Sequence, residues 1–142
     1  MSATVTGVDF VSLPTRDLAA AIEFYGTALG LPCSARYEGI PGAEFETGSL
    51  TLQLLEPEAI GREFHPHTLP VALHVDDVAA AQAEFESRGV VFTAGFDSGV
   101  CHNAVFEDPD GNVLSLHHRY APRVPLGLGG WAGVVGCPGP LL

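Results

Sequence analysis

The 142-residue chain is about the length of one average domain, and its 46% hydrophobic residues supply enough apolar side chains for a folded core. Seventeen acidic residues stand against six basic ones, all of them Arg, so the formal net charge is −11. A chain of this charge repels nucleic-acid phosphates and anionic membrane surfaces, and we therefore expect neither as a partner. The Cys residues lie far apart without a CxxC pair, and the N-terminus lacks a signal-peptide pattern, which together indicate a reduced, cytoplasmic setting.

A sequence repeat with an offset of 60 residues organises the chain, since Asp17-Leu18-Ala19-Ala20-Ala21 recurs as Asp77-Val78-Ala79-Ala80-Ala81. Repeats of this kind mark a repeated structural unit. In the first copy, the alternation from Val8 to Leu13 predicts a strand with one buried face, and Asp17 is placed to cap a helix that ends near Gly30. Three further strands are predicted at Cys33 to Tyr37, Ala43 to Glu46 and Ser49 to Leu55.

The second copy has the same order of elements. A strand is predicted from Val71 to Val75, and a helix follows from its N-cap Asp77 to Gly89. The last three strands are predicted at Val90 to Ala94, Val100 to Glu107 and Asn112 to His117. The chain therefore has the α+β class, with the pattern βαβββ twice, and the two hairpins of each copy return its fourth strand beside its first.

The predicted organisation is a single domain over residues 1–121, built from modules at about 5–57 and 69–119. Residues 122–142 form a Gly- and Pro-rich apolar tail, which we interpret as an irregular C-terminal extension because Gly and Pro interrupt it too often for a membrane-spanning helix. Its apolar side chains, including Trp131, suggest that it covers a neighbouring subunit, and the alternative is a disordered tail.

Several segments in this order resemble the vicinal oxygen chelate superfamily, which includes glyoxalase I, extradiol dioxygenases, fosfomycin resistance proteins and bleomycin resistance proteins. The segments are Val8 to Leu13, Phe24-Tyr25, Leu29-Gly30-Leu31, His74 to Val78, and Phe106 to Asn112. The resemblance covers about Val5 to His118. It implies that the two modules form a U-shaped, partly open barrel whose concave side holds the active or binding site.

The family's metal positions can be read in this sequence. Metal-dependent members carry a ligand on the first strand of each module, seven residues before the Asp that begins the helix, and another on each fourth strand. The matching residues here are Phe10, Gln53, Pro70 and Ser115. A catalytic divalent site usually takes about three ligands from His, carboxylate or Cys, which this set does not supply. The resemblance therefore favours the metal-free branch, and we expect no metal and no other cofactor.

The residues predicted to line the cavity lie on the first and fourth strands of both modules and on the third strand of the second. They combine apolar walls with a few polar anchors, as ligand pockets usually do. They are Phe10, Ser12, Gln53, Leu55, Pro70, Ala72, His74, Asn103, Val105, Ser115 and His117.

His74 and His117 are the candidate catalytic residues. They share a face if the first and fourth strands of the second module lie side by side, and two imidazoles there suit an acid/base pair or a ligand clamp. The alternative is that both are rim residues whose hydrogen bonds are met by water or backbone. His118 alternates to the opposite face, and His65 and His67 lie in the linker between the modules.

Three functions fit the pattern. The first is a metal-independent small-molecule-binding protein of the glyoxalase/bleomycin-resistance type, which sequesters an amphipathic or aromatic ligand in antibiotic resistance. The second is a metal-independent enzyme of isomerase, cyclase or hydrolase type that uses His74 or His117 as general acid/base. The third, least favoured, is a glyoxalase- or dioxygenase-like metalloenzyme with displaced ligands. By analogy with the family, we expect a homodimer.

Overall fold

The computed structural model describes residues 3–123, so the predicted tail contacts of residues 124–142 lie outside the described residues. The chain divides into two compact units. The first contains the described residues up to Leu69 together with Asp108–Val113, and the second contains Pro70–Glu107 and residues 114–123. Within the described residues, no helix is long and apolar enough to cross a membrane.

The first unit contains one four-stranded sheet in the order β1-β4-β3-β2. Its elements are β1 (Phe10–Pro14), α1 (Leu18–Glu23), β2 (Cys33–Arg36), β3 (Gly42–Glu46) and β4 (Thr51–Leu55). β1 runs parallel to β4, and the other neighbours are antiparallel. Leu13, Leu52, Leu54 and Phe45 are fully buried, whereas the residues that alternate with them along the strands, apart from the buried Gly42, are half-buried or exposed. The sheet therefore has one core face and one polar face.

The helix of the first unit begins as predicted and then widens. The Asp17 carboxylate caps α1 by accepting a hydrogen bond from the Ala20 amide. From Phe24 to Ala28 the helix continues as a π-helical turn, in which the Leu29 amide donates to the Phe24 carbonyl. This widened turn carries Tyr25, which is 0% exposed and packs against the ring of Phe45.

The segment Asp108–Val113 belongs to the first unit because its side chains are hydrogen-bonded there. Asp108 is 5% exposed, and its carboxylate accepts hydrogen bonds from the Tyr25 hydroxyl at 2.7 Å and the Asn112 side-chain amide at 2.8 Å. The backbone amides of Asp110 and Asn112 donate to its other oxygen, both at 2.9 Å. A buried carboxylate needs such donors to offset its lost hydration.

A second carboxylate extends this buried cluster to the start of α1. Asp110 accepts the Thr15 hydroxyl at 2.6 Å and the Arg16 amide at 2.9 Å. The Asn112 side chain donates to the Pro14 carbonyl and accepts the His67 amide. The acidic composition of the Asp108–Asn112 turn is therefore explained by hydrogen bonds within the first unit.

The second unit repeats the sheet order as β5-β8-β7-β6. Its elements are β5 (Val71–His74), α2 (Val78–Ser87), β6 (Phe92–Asp97), β7 (Cys101–Glu107) and β8 (Val113–Arg119). β5 is parallel to β8, as β1 is to β4. Asp77 caps α2 as predicted, and the ring of Phe85 packs edge-on against Phe106.

The predicted class is confirmed, since the structure contains two repeated α+β modules, each with a four-stranded mixed sheet. Element ends differ by a few residues. The largest shift is in β6, which was expected at Val90 to Ala94 and lies at Phe92–Asp97. Val90 instead donates its amide to Phe85 at the end of α2, which delays the strand. The short 3₁₀ helix Pro57–Ile60 was not predicted.

Candidate functional site

Four side chains on the polar face of the first sheet form a continuous hydrogen-bonded chain. The strand register places Ser12 beside Gln53 and Gln53 beside Glu44. The Ser12 hydroxyl donates to Gln53 Oε1 at 2.6 Å, and Gln53 Nε2 donates to the Tyr37 hydroxyl at 2.8 Å. Tyr37 in turn donates to Glu44 Oε2. We call these four side chains the Ser12–Glu44 chain.

Tyr37 reaches this position because the residue beneath its ring is glycine. A Cβ on Gly42 would lie 2.3 Å from Tyr37 Cδ2 and 3.1 Å from Leu55 Cδ1, far inside van der Waals contact with the ring. Partial burial, followed by the hydrogen bond to Glu44, raises the pKa of Tyr37 above its usual value, so its hydroxyl remains a donor.

A second carboxylate lies beside the Ser12–Glu44 chain on the same face. Glu46 accepts hydrogen bonds from the Ser34 hydroxyl and from the Thr51 hydroxyl, the latter at 2.8 Å. These two bonds lower the pKa of Glu46. None of the ion pairs among residues 3–123 includes Glu44 or Glu46, so both carboxylates are left without a cationic partner in that part of the chain.

Apolar side chains flank this polar group. Phe10 precedes Ser12 by two residues on β1 and is 54% exposed. Leu55 follows Gln53 by two residues on β4 and is half-buried. Phe10, Ser12, Gln53 and Leu55 are the predicted site residues of the first unit, and the structure brings them onto one sheet face.

The residues at the metal positions implied by the resemblance do not supply a catalytic ligand set. Phe10 and Pro70 carry no ligand atom, and Ser115 is 2% exposed. Both polar ends of the Gln53 amide are already bonded, one by Ser12 and the other to Tyr37. Within residues 3–123, no group of three or more His, Cys, Asp and Glu side chains is arranged to hold a metal ion.

The predicted residues of the second unit lie mainly on β5, β7 and β8. The register pairs Ala72 with Ser115 and His74 with His117 on adjacent parallel strands. On β7, Asn103 and Val105 are half-buried and alternate with the buried residue Ala104. Pro70 precedes β5 and is half-buried.

The two candidate catalytic histidines have different surroundings. His117 is half-buried, and its pKa is lowered by burial first and then by the charges of His74, His118 and two arginines. It is therefore a neutral imidazole at neutral pH. His74 is exposed, with Nε2 lying 3.2 Å from Asp76 Oδ1.

Next to His74 the structure places a histidine that the sequence reasoning had set aside. The rings of His74 and His118 are 5.8 Å apart. His118 Nδ1 is buried and has no hydrogen-bond partner among the described residues. Strand alternation did not predict this contact, because it indicates only the sheet face on which a side chain begins and not the rings that the side chain reaches.

A small depression of about 230 Å³, which includes space open to solvent, lies elsewhere in the first unit. The Arg16 guanidinium lies 4.4 Å from the centre of the Phe64 ring, and its Nε lies 3.6 Å from Asp110. The depression contains none of the predicted site residues, since its lining is Thr15, Arg16, Glu56, Pro57, Glu58 and Phe64.

Sequence reasoning missed Tyr37, Glu44 and Glu46. A signal for the two glutamates was present, since Ala43-Glu44-Phe45-Glu46 alternates and places both carboxylates on one face. No comparable signal existed for Tyr37, whose ring position depends on the absence of a side chain at Gly42.

Comparisons with known proteins agree with this fold. The sequence model of the family described as the Glyoxalase/Bleomycin resistance protein/Dioxygenase superfamily matches residues 7–116. No curated protein matches the chain. Among solved structures, TnmS3, described as an antibiotic binding protein from Streptomyces sp. CB03234, is 26% identical with a TM-score of 0.70, and the match covers 83% of this chain and 99% of that chain.

Two further solved structures match with similar coverage. A glyoxalase/bleomycin resistance protein from Streptomyces sp. CB03234 is 28% identical with a TM-score of 0.65, over 80% of this chain and 100% of that chain. A lactoylglutathione lyase from Agrobacterium tumefaciens is 21% identical with a TM-score of 0.69, over 80% of this chain and 94% of that chain. At this lower identity, the second match shows a shared fold alone.

Proposed function

The chain belongs to the Glyoxalase/Bleomycin resistance protein/Dioxygenase superfamily, and we propose that it is a metal-independent small-molecule-binding protein that sequesters an amphipathic or aromatic ligand. The similarity to TnmS3, an antibiotic binding protein, supports this choice within the family and favours a role in antibiotic resistance. Fold alone does not assign a function, so the proposal depends on the site.

The proposal rests on one observation, which is the hydrogen bonding of the Gln53 side-chain amide. It occupies a position where metal-dependent relatives are expected to place a ligand, yet both ends of its amide are engaged by Ser12 and Tyr37. The amide is thereby held as a fixed polar group beside the apolar side chains of Phe10 and Leu55. A few fixed polar groups among apolar side chains are typical of small-molecule binding sites.

Residues of the second unit are proposed as further ligand contacts on their own sheet. The apolar members Pro70, Ala72 and Val105 would pack against a ligand. Asn103 both donates and accepts hydrogen bonds, which suits fixing a ligand's orientation. Ser115 was predicted with them, but it is 2% exposed beside Ala72, so we do not propose it as a direct contact. His74 and His117 belong to the second candidate function below.

The test combines metal analysis with identification of a bound ligand. Purified protein is examined by native mass spectrometry for a co-purifying small molecule, and its metal content is measured by inductively coupled plasma mass spectrometry. We expect substoichiometric metal, and an affinity for the recovered ligand, measured by calorimetry, that is unchanged after dialysis against a chelator. A stoichiometric divalent ion whose removal abolishes binding would overturn the proposal.

A second candidate function is a metal-independent enzyme of isomerase, cyclase or hydrolase type. It is favoured by the lowered pKa of His117, which makes this imidazole a proton acceptor at neutral pH, and by the register that places His74 beside it. His74→Ala and His117→Ala should leave ligand affinity largely intact and abolish conversion of the bound compound. Turnover that persists in both variants excludes this mechanism.

We also propose a cytoplasmic homodimer. Symmetric dimers are the commonest soluble oligomers, and the first unit exposes apolar residues near its N-terminus, with Val5 88% and Val8 61% exposed. Light scattering on the full chain and on a chain truncated after Ala121 tests the assembly and the part that the apolar tail plays in it. A full chain that stays monomeric contradicts the dimer, and an unaffected dimer after truncation contradicts the role of the tail.

A further inference from the structure

The Ser12–Glu44 chain has a fixed direction. An ionised carboxylate only accepts hydrogen bonds, so Tyr37 must donate to Glu44. The Tyr37 oxygen then accepts from Gln53 Nε2, and this turns Gln53 Oε1 toward Ser12, which must donate to it. The direction of all three hydrogen bonds therefore follows from the chemistry of Glu44.

Two further hydroxyls on the same sheet face, those of Ser34 and Thr51, also donate their hydrogens to a carboxylate. Ser34 and Thr51 both donate to Glu46, which keeps its charge because these bonds lower its pKa. Each of the four hydroxyl groups therefore donates its hydrogen to an acceptor within the protein. The four are those of Ser12, Tyr37, Ser34 and Thr51. The polar face retains oxygen lone pairs, and the second Nε2 hydrogen of Gln53 is the one donor left over in the Ser12–Glu44 chain.

Ser12 is the accessible end of the chain. Its side chain is exposed, and no described residue donates a hydrogen bond to its Oγ. Because its own hydrogen is held by Gln53, Ser12 Oγ offers a ligand two lone pairs and no hydrogen. Phe10, two residues earlier on the same strand and face, offers an exposed ring beside it.

We propose that Ser12 Oγ selects ligands whose polar group donates a hydrogen bond while their aromatic ring packs on Phe10. This inference rests on the proposed function and names the ligand chemistry of that site. An ammonium donor should bind more tightly than a neutral hydroxyl, because Glu44 and Glu46 lack a cationic partner among residues 3–123.

The selection is tested with three naphthalene probes by isothermal titration calorimetry on the full chain. The probes are 2-naphthylmethylamine, which is an ammonium at pH 7, 2-naphthylmethanol, which is a neutral donor, and 2-(methoxymethyl)naphthalene, which only accepts. The affinity of the ammonium probe includes its electrostatic attraction to a protein of net charge −11. The alcohol and the ether are both neutral and differ only in whether they donate a hydrogen bond. We expect affinity in the order amine, alcohol, ether, with the alcohol about fivefold tighter than the ether, as one neutral hydrogen bond supplies.

Variants locate the selection in the Ser12–Glu44 chain. Ser12→Ala removes the acceptor, and Tyr37→Phe frees Gln53 and Ser12 to reorient, so each should bring the alcohol-to-ether ratio close to one. Ser12→Thr retains a hydroxyl and should retain the ratio. Ser87→Ala is the matched control, because it removes a hydroxyl that donates to the Glu84 carbonyl at the end of α2, away from the polar face.

The possible results distinguish failure of this inference from failure of the proposed binding function. Alcohol and ether of equal affinity on the unmodified chain overturn the inference and leave sequestration of aromatic ligands standing. A ratio that survives in both Ser12→Ala and Tyr37→Phe, with circular dichroism showing folded variants, also overturns it. Absence of binding by all three probes contradicts the proposed function and the inference with it.

Discussion

Removal of one hydroxyl group tests the buried cluster of the first unit. Tyr25 is 0% exposed, and its hydroxyl donates to the Asp108 carboxylate at 2.7 Å. Tyr25→Phe keeps the ring and its packing against Phe45 but removes one charge-assisted hydrogen bond. Bonds of this kind contribute about 1.5–3 kcal/mol, and we expect the free energy of unfolding at pH 7 to fall by that amount.

The pH dependence of this difference provides a second measurement. Burial, followed by the charge of Asp108, raises the pKa of Tyr25 above its usual value of 10.0. In the folded protein the phenol therefore stays protonated at a pH where the unfolded chain ionises. Its contribution to stability is complete below pH 10 and is lost progressively above it, by about 1.4 kcal/mol at pH 11. The difference between the unmodified chain and Tyr25→Phe should narrow accordingly.

Denaturant unfolding followed by circular dichroism at pH 7, 9, 10 and 11 measures both effects. Tyr120→Phe is the matched control, since its hydroxyl also donates to a carboxylate, that of Asp97, but the side chain is exposed. Its effect should be small by comparison. Equal stability of Tyr25→Phe and the unmodified chain at pH 7, or a difference that does not change between pH 9 and pH 11, would refute the reasoning.

Three further predictions concern both units. Gly42→Ala should displace the Tyr37 ring and weaken the preference for donor ligands while the protein stays folded, which calorimetry and a crystal structure of the variant check. Thr15→Val removes the buried hydroxyl that donates to Asp110 and should lower the free energy of unfolding by about 1.5–3 kcal/mol in denaturant titrations. His117→Gln should flatten the loss of stability below pH 6.5, because the lowered pKa of His117 makes the folded state bind its proton less tightly than the unfolded chain does.

Each of these predictions has a control or an opposing result. Gly7→Ala is the control for Gly42→Ala, because a Cβ at Gly7 meets no atom within 4 Å. An unmoved Tyr37 ring in Gly42→Ala would contradict the role of that glycine. Full stability of Thr15→Val would show that the Thr15 hydroxyl contributes nothing net to the cluster. A stability profile between pH 5 and 7 that is unchanged in His117→Gln would assign the acid sensitivity to other groups.

Local chemistry explains which elements the sequence predicted well. Both helix starts were predicted because Asp17 and Asp77 accept amide hydrogen bonds three residues ahead, an interaction contained within one turn. The β6 strand was misplaced because the Val90 amide bonds to the end of α2, and strand propensity does not register that competition. The π-helical turn at Phe24–Ala28 had no sequence signal that we recognised.

The residues of the candidate site were likewise predicted only in part. Ser12 and Gln53 were predicted because strand alternation and the family resemblance place them on one face, and the register confirms that they are neighbours. Tyr37 was missed because its position depends on the space above Gly42 and on a hydrogen bond to Glu44, a residue of the neighbouring strand.

The sequence by itself determined the repeated βαβββ pattern and the two helix caps, because each of these depends on residue type and on spacing along one strand or helix. Tertiary structure decided that the Asp108–Asn112 turn is hydrogen-bonded within the first unit and that the Ser12 hydroxyl donates its hydrogen to Gln53. Both depend on contacts between residues far apart in the chain, Tyr25 with Asp108 and Ser12 with Gln53. Burial and hydrogen bonding at such contacts decide to which acceptor each hydroxyl donates. Residue type alone does not decide this.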